Sequence, residues 1–101
     1  MRTISNLLNH EGRIYIYLAS KNLSNLFLKH AEEEGFTFGD GVKPTEREAD
    51  NLYSLSPDWT ICYVGYIGRI AFHATNPVSD NPFFKIDYAK YLAGNPHYLM
   101  K

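Results

Sequence analysis

The chain predicts an α+β domain, a small and mostly antiparallel sheet with one main helix packed on one face. Three features carry that prediction. Residues 13–18 are a β-branched and aromatic run, residues 21–34 are amphipathic between Ser20 and Gly35, and two further β-rich runs flank a pair of glycines at 65 and 68. A length of 101 residues fits a single domain, 1–101, with one modest core.

Residues 1–12 read as a short leader ending at Gly12. In the first strand, Arg13-Ile14-Tyr15-Ile16-Tyr17-Leu18, the pleat places Ile14, Ile16 and Leu18 on one face and Arg13, Tyr15 and Tyr17 on the other. Ser20 has the hydroxyl of an N-cap for a helix over 21–34, and Gly35 suits its end. Leu23, Leu26, Phe27 and His30 or Ala31 recur at three- and four-residue spacing and predict its apolar stripe. Glu32, Glu33 and Glu34 oppose the helix dipole in the last turn. They form either a solvated end or an acidic patch that meets a basic partner.

Phe36–Phe38 predicts a second short strand. Thr45 and Glu48 have capping-box spacing, and so predict a brief helix over 46–51. Leu52–Leu55 reads as extended, and Ser56-Pro57-Asp58-Trp59 as a turn with proline at its second position. A hairpin is expected from 60–65 and 68–74, with Tyr66 and Ile67 at its tip. Its core face would carry Ile61, Tyr63, Ile70 and Phe72 against Leu23, Leu26 and Phe27. Residues 75–82 are turn-rich. A C-terminal helix is expected over 83–93, with Asn81 as cap and Pro82 at its first position; an extended Lys85–Tyr88 is the competing reading. The tail, with Tyr98, Leu99 and Met100, either packs or hangs free.

Composition narrows the function. Hydrophobic residues at 45% and charged residues at 21% are globular rather than disordered proportions. The net charge of −1 disfavours general nucleic-acid binding, which depends on phosphate neutralisation. Cys62 is the single cysteine, which excludes an internal disulfide and suits a reducing compartment. No apolar run approaches the roughly 20 residues needed to span a bilayer, and the first residues lack the apolar core of a signal peptide. The expectation is a cytoplasmic protein in a bacterial host cell, without a membrane association.

Two candidate sites stand out. The first is the loop Gly39-Asp40-Gly41-Val42-Lys43 leading into Thr45. Glycine amides, a helix start and a lysine together suit an anion, so Gly39, Gly41, Lys43, Thr45 and Arg47 are candidate ligand-binding residues for a nucleotide-like molecule. The loop lacks the full G-x-x-x-x-G-K-[ST] pattern, and a simple tight turn is the favoured explanation of the glycines. The second is an interaction face of Tyr15, Tyr17, Tyr66, Arg69 and His73, joined by Glu32, Glu33 and Glu34. Eight tyrosines against one tryptophan favour contact surfaces, where one end of the ring is packed and the other wet.

Catalytic chemistry finds no support. Cys62 and His73 share a sheet face in the expected register without direct opposition, and no orienting group or oxyanion hole accompanies them. Histidines 10, 30, 73 and 97 have no metal-ligand spacing. No cofactor is implied, and the chain reads as a non-enzyme.

The runs Gly35–Thr45, Ile61–Gly65 and Gly68–Phe72 resemble small proteins carried by phages and mobile elements of Gram-positive bacteria, over about residues 13–74. The resemblance implies an accessory, anti-defence role. The expected function is direct, stoichiometric inhibition of a host immune component, such as a CRISPR–Cas effector, so the expected partner is a protein or ribonucleoprotein. Two alternatives are a sponge for a nucleotide-like signalling ligand, bound across a homodimer interface, and a sheet-face RNA binder.

Overall fold

The computed structural model describes residues 2–9, 13–64 and 83–100. Strand β1, Arg13–Tyr17, runs into helix α1, Lys21–Glu34, and then into β2, Thr37–Phe38. Strands β3, Leu52–Ser56, and β4, Thr60–Tyr63, follow, and β5, Phe83–Asp87, leads directly into the short helix α2, Tyr88–Leu92. Strand β6, Leu99–Met100, completes the sheet, whose order is β2-β4-β3-β1-β5-β6. The α+β class is as predicted. The sheet is mixed rather than mostly antiparallel, because β1 runs parallel to β5 and β2 parallel to β4.

Helix α1 starts and stops where the sequence says. The Ser20 hydroxyl accepts from the Leu23 amide at 3.1 Å, and Gly35 ends the helix at φ 99°, a conformation costly for any residue with a Cβ. Its buried stripe is Ser24, Phe27, Leu28 and Ala31, which keeps the predicted Phe27 and Ala31, with Leu23 packed partly buried against the core. Leu26 is 38% exposed. Ser24 tolerates burial because its hydroxyl donates to the Asp50 carbonyl at 2.7 Å.

The sheet faces alternate as the pleat requires. Ile14, Ile16, Tyr53, Leu55, Ile61 and Ile86 pack with Phe27, Leu28 and Ala31 in the main core. On the opposite face Tyr15, Leu52 and Val64 form a second buried cluster with Tyr17 against it.

Three expectations change. Residues 83–87 form a strand, because the open edge of β1 offers a ladder in which Ile14 pairs with Phe84 and Ile16 with Ile86. Helix begins only at Tyr88, where the Asp87 carboxylate caps the Lys90 amide. Residues 46–51 do not form a helix. The chain makes a single 3-10 turn, Pro44–Glu46, since the Thr45 hydroxyl is drawn to Glu32 instead of capping. The leader is part of the fold: Ser5–Asn9 is a 3-10 helix, and Ile4 and Leu7 are buried in the core.

Polar groups hold the leader down. The Glu34 carboxylate accepts from the Ile4 and Ser5 amides at 2.8 and 2.9 Å. The Arg2 guanidinium donates to the Asn95 carbonyl at 2.8 Å, and its carbon lies 5.0 Å from the Tyr98 ring centroid.

Of the expected hairpin, the second arm, 68–74, and the tip lie outside the described residues. Its first arm, β4, pairs with β3 on one side and β2 on the other. The hairpin that the structure shows is β3–β4. Ser56 pairs with Thr60 across the turn Pro57-Asp58-Trp59, and the Trp59 amide donates to the Ser56 carbonyl at 3.1 Å.

Candidate functional site

The glycine loop is built as an edge cap, not as an anion cradle. In β2 the Thr37 amide faces β4 and donates to the Trp59 carbonyl, which leaves the Phe38 backbone facing outward. The loop folds back onto it: the Phe38 amide donates to Val42 at 2.9 Å, and its carbonyl accepts from Gly41 at 2.8 Å. Gly41 makes the turn at φ 86°. The Val42 amide is taken by the Asp40 carboxylate.

Two of the remaining candidate ligands, Arg47 and Thr45, are engaged by carboxylates. Arg47 forms an ion pair with Asp40, and its guanidinium carbon lies 4.7 Å from the Phe38 ring centroid. The Thr45 hydroxyl donates to Glu32 at 2.6 Å, which holds that carboxyl below its usual range. The Val42 amide, followed by Arg47, does the same for Asp40. Two carboxylates kept ionised beside Gly39, Gly41 and Lys43 make the loop a poor seat for an anion. A two-residue edge strand is thereby closed against pairing with a foreign strand.

The expected tyrosine platform is also altered. Tyr15 is only 4% exposed and Tyr17 is half-buried, so the first strand does not present an open stacking face. Tyr66, Arg69 and His73 lie outside the described residues, and with them the Cys62–His73 pairing; Cys62 itself is exposed. The acidic run at the end of α1 is divided. Glu34 binds the leader and Glu32 binds Thr45, while Glu33 is exposed.

An exposed aromatic surface exists one strand further along. Trp59 is 43% exposed and Tyr63 is 40% exposed, at the two ends of β4. Each lies on a buried ring in or next to strand β2. Trp59 stacks on Phe36 with centroids 4.9 Å apart and planes at 29°, and Tyr63 stacks on Phe38 at 5.3 Å and 23°. Tyr53 lies 5.3 Å from Tyr63, and both hydroxyls donate to the Glu48 carbonyl. The outer rings are thus fixed from beneath and open above, a surface that loses little side-chain entropy on contact.

Trp59 is the unexpected member. It has φ 66°, and it is the one non-glycine residue with positive φ among those described. A three-residue hairpin turn of this kind ends in a left-handed residue, where glycine is favoured. The signal is in the sequence: Ser-Pro-Asp-Trp-Thr puts a bulky ring where the turn asks for glycine.

Two concavities lie among the described residues. A cleft of about 340 Å³ lies between the start of α1 and Ala49–Asn51, lined by Leu18, Ser20, Lys21 and Ser24. A pocket of about 110 Å³ is walled by Arg2, His30, Glu33, Glu34 and Tyr88, with His30 Nδ1 2.8 Å from the Tyr88 hydroxyl. Burial pushes the Tyr88 phenol well above its ordinary range. Among the described residues there is no group of three or more His, Cys, Asp or Glu side chains placed to hold a metal ion, and no helix is long and apolar enough to cross a membrane.

No protein-family model, curated protein or solved structure matches the chain.

Proposed function

We propose that the chain is a non-catalytic binding protein that acts by occupying a partner's surface, with Trp59 and Tyr63 as its contact anchors. The observation that carries this reading is the state of Trp59. A left-handed turn position costs a non-glycine residue roughly 1–2 kcal/mol, and here the cost is met in order to hold an indole 43% exposed. Glycine would serve the turn better. The stack on Phe36 offsets part of that cost while the outer face of the indole stays open to solvent, and strain kept at a residue with an open aromatic face points to a functional position. Tryptophan and tyrosine dominate the energetics of contact surfaces.

The sequence resemblance to phage and mobile-element proteins supports an anti-defence role within a bacterial host cell. The partner would be a host immune component such as a CRISPR–Cas effector, inhibited by stoichiometric binding. The test is interference in cells carrying a panel of CRISPR–Cas effectors, scored by phage survival. The intact chain is expected to protect phage and Trp59→Ala to lose that protection while remaining folded. Inhibition of the purified effector should reach its plateau at equimolar dose. Continued inhibition at far lower dose would rule out this mechanism.

A second reading, a sponge for a nucleotide-like ligand, draws on the cleft at the start of α1, whose volume falls within the range of small-molecule sites. It draws nothing from the Gly39–Lys43 loop. Native mass spectrometry decides it: a small mass released on mild denaturation supports a sponge, and a bare protein counts against one. An RNA-binding sheet face loses its platform with the burial of Tyr15.

A further inference from the structure

We infer that the partner of the Trp59–Tyr63 edge is a protein presenting a cationic, arginine-bearing surface of the kind that otherwise holds nucleic acid. This rests on the reading of that edge as the contact surface, and it adds the partner's chemistry.

The charge of the chain is sharply divided. Residues 32–60 carry eight of its eleven acidic side chains and only Lys43 and Arg47 of its ten basic ones, a formal −6 against +5 for the remainder. The near-neutral total of −1 hides this division. The acidic segment is also the one that builds the β2 edge of the sheet, from the end of α1 through β2 and β3 to the β3–β4 turn.

Carboxylates accompany both exposed rings. Asp58 immediately precedes Trp59 in the turn and is exposed. Glu48 is exposed, and its backbone carbonyl receives the Tyr63 hydroxyl. Asp40 reaches the same patch through Arg47, which covers Phe38, the ring beneath Tyr63. Asp40 and Glu32 are both held ionised by their own hydrogen bonds, so the field persists at mildly acidic pH.

Arg47 shows what such a surface accepts. Its guanidinium lies over an aromatic ring and pairs with a carboxylate at once. Trp59 has Asp58 beside it in the turn, its carboxylate accepting from the Thr60 hydroxyl at 2.6 Å, and Tyr63 is tied to the backbone of Glu48, so an exposed acidic residue adjoins each exposed ring. A partner guanidinium would stack on the ring face and bond the carboxylate, a combination lysine matches less well. A nucleic acid or an anionic bilayer would be repelled by the same field.

Trp59 is the only tryptophan, so its emission reports this surface directly. The intact protein is titrated with a nona-arginine peptide, followed by fluorescence. The expected result is a saturable emission change whose affinity falls about tenfold or more between about 20 mM and about 300 mM salt. The double substitution D58N/E48Q, which leaves both rings in place, is expected to weaken binding about fivefold. No emission change, a salt-independent affinity, an unaffected double variant, or tighter binding of a single-stranded oligonucleotide than of the peptide would each overturn the inference. Failure here is separable from failure of the contact surface. If Trp59→Ala abolishes phage protection while the peptide stays silent, the surface stands and the cationic partner falls. If the peptide binds as described and Trp59→Ala protects phage normally, the cationic preference stands and the anti-defence reading falls.

Discussion

Trp59 stacks on Phe36 with ring centroids 4.9 Å apart, and it does so from a left-handed backbone conformation with φ 66°. The stack and the strained turn are coupled, because the ring reaches Phe36 from that conformation. Substitution separates them. Trp59→Ala loses the stack and keeps the strain, while Trp59→Gly loses both. The glycine variant is expected to be more stable than the alanine variant by about 1 kcal/mol in urea denaturation. Equal stabilities would mean that the backbone strain contributes nothing.

The leader should be as stable as the carboxylate that receives it. Glu34 accepts from two backbone amides, Ile4 and Ser5, and Ile4 is 1% exposed. Glu34→Ala leaves those donors without that acceptor and is expected to cost about 2 kcal/mol, with Glu34→Gln costing less. Amide exchange at Ile4 and Ser5 should accelerate in the alanine variant. Unchanged protection there would show that the apolar contacts of Ile4 and Leu7 alone hold the segment.

The two glycines of the edge cap should behave differently. Gly41 sits at φ 86°, whereas Gly39 has no positive φ and open space where a Cβ would stand. Gly41→Ala is expected to destabilise by about 1 kcal/mol or more, and Gly39→Ala to be nearly neutral. Exposure of the Phe38 backbone in the Gly41 variant should also favour self-association, measurable by sedimentation. Equal effects at both positions would contradict the turn geometry.

Alkaline pH should unfold the protein through its core tyrosines. Burial raises the phenol pKa of Tyr53 and of Tyr88 above the ordinary 10.0. The folded state therefore favours the neutral phenol. Its stabilising effect is complete below the unfolded value and is lost as pH rises past 10 toward the folded values. Tyrosinate absorbance should show exposed rings titrating first and the buried ones only together with the loss of structure. At the other end, Asp40 and Glu32 have depressed values, so their contribution is present above the ordinary 3.8 and 4.5 and declines as pH falls below them.

Much of the fold is legible in the sequence because it is local. The hydroxyl of Ser20, the missing side chain of Gly35 and the alternation of Ile14, Ile16 and Leu18 act within a few residues of themselves, so composition and spacing suffice to read them. The first half of the helix expected over 83–93 gives way to a strand, in line with the competing extended reading, for the opposite reason, while Tyr88–Leu92 stays helical. Phe83-Phe84-Lys85-Ile86-Asp87 satisfies both a helical and a strand pattern, and the choice comes from the vacant edge of β1, about seventy residues earlier in the chain. Capping at Thr45 fails likewise, since Glu32 arrives from another element and takes its hydroxyl.

By itself, the sequence determined the α+β class, the limits of α1, the first strand and the surplus of aromatic side chains, all properties of neighbouring residues. It also held the charge division between residues 32–60 and the rest. Tertiary structure alone decided which aromatics face outward, because exposure depends on what the other strands cover. Tyr15 was buried with Leu52 and Val64, while Trp59 and Tyr63 were left open on Phe36 and Phe38. The Gly39–Val42 loop became an edge cap because the Gly41 amide and the Val42 carbonyl pair with the outward backbone of Phe38, a pairing that depends on the position of β2 at the margin of the sheet.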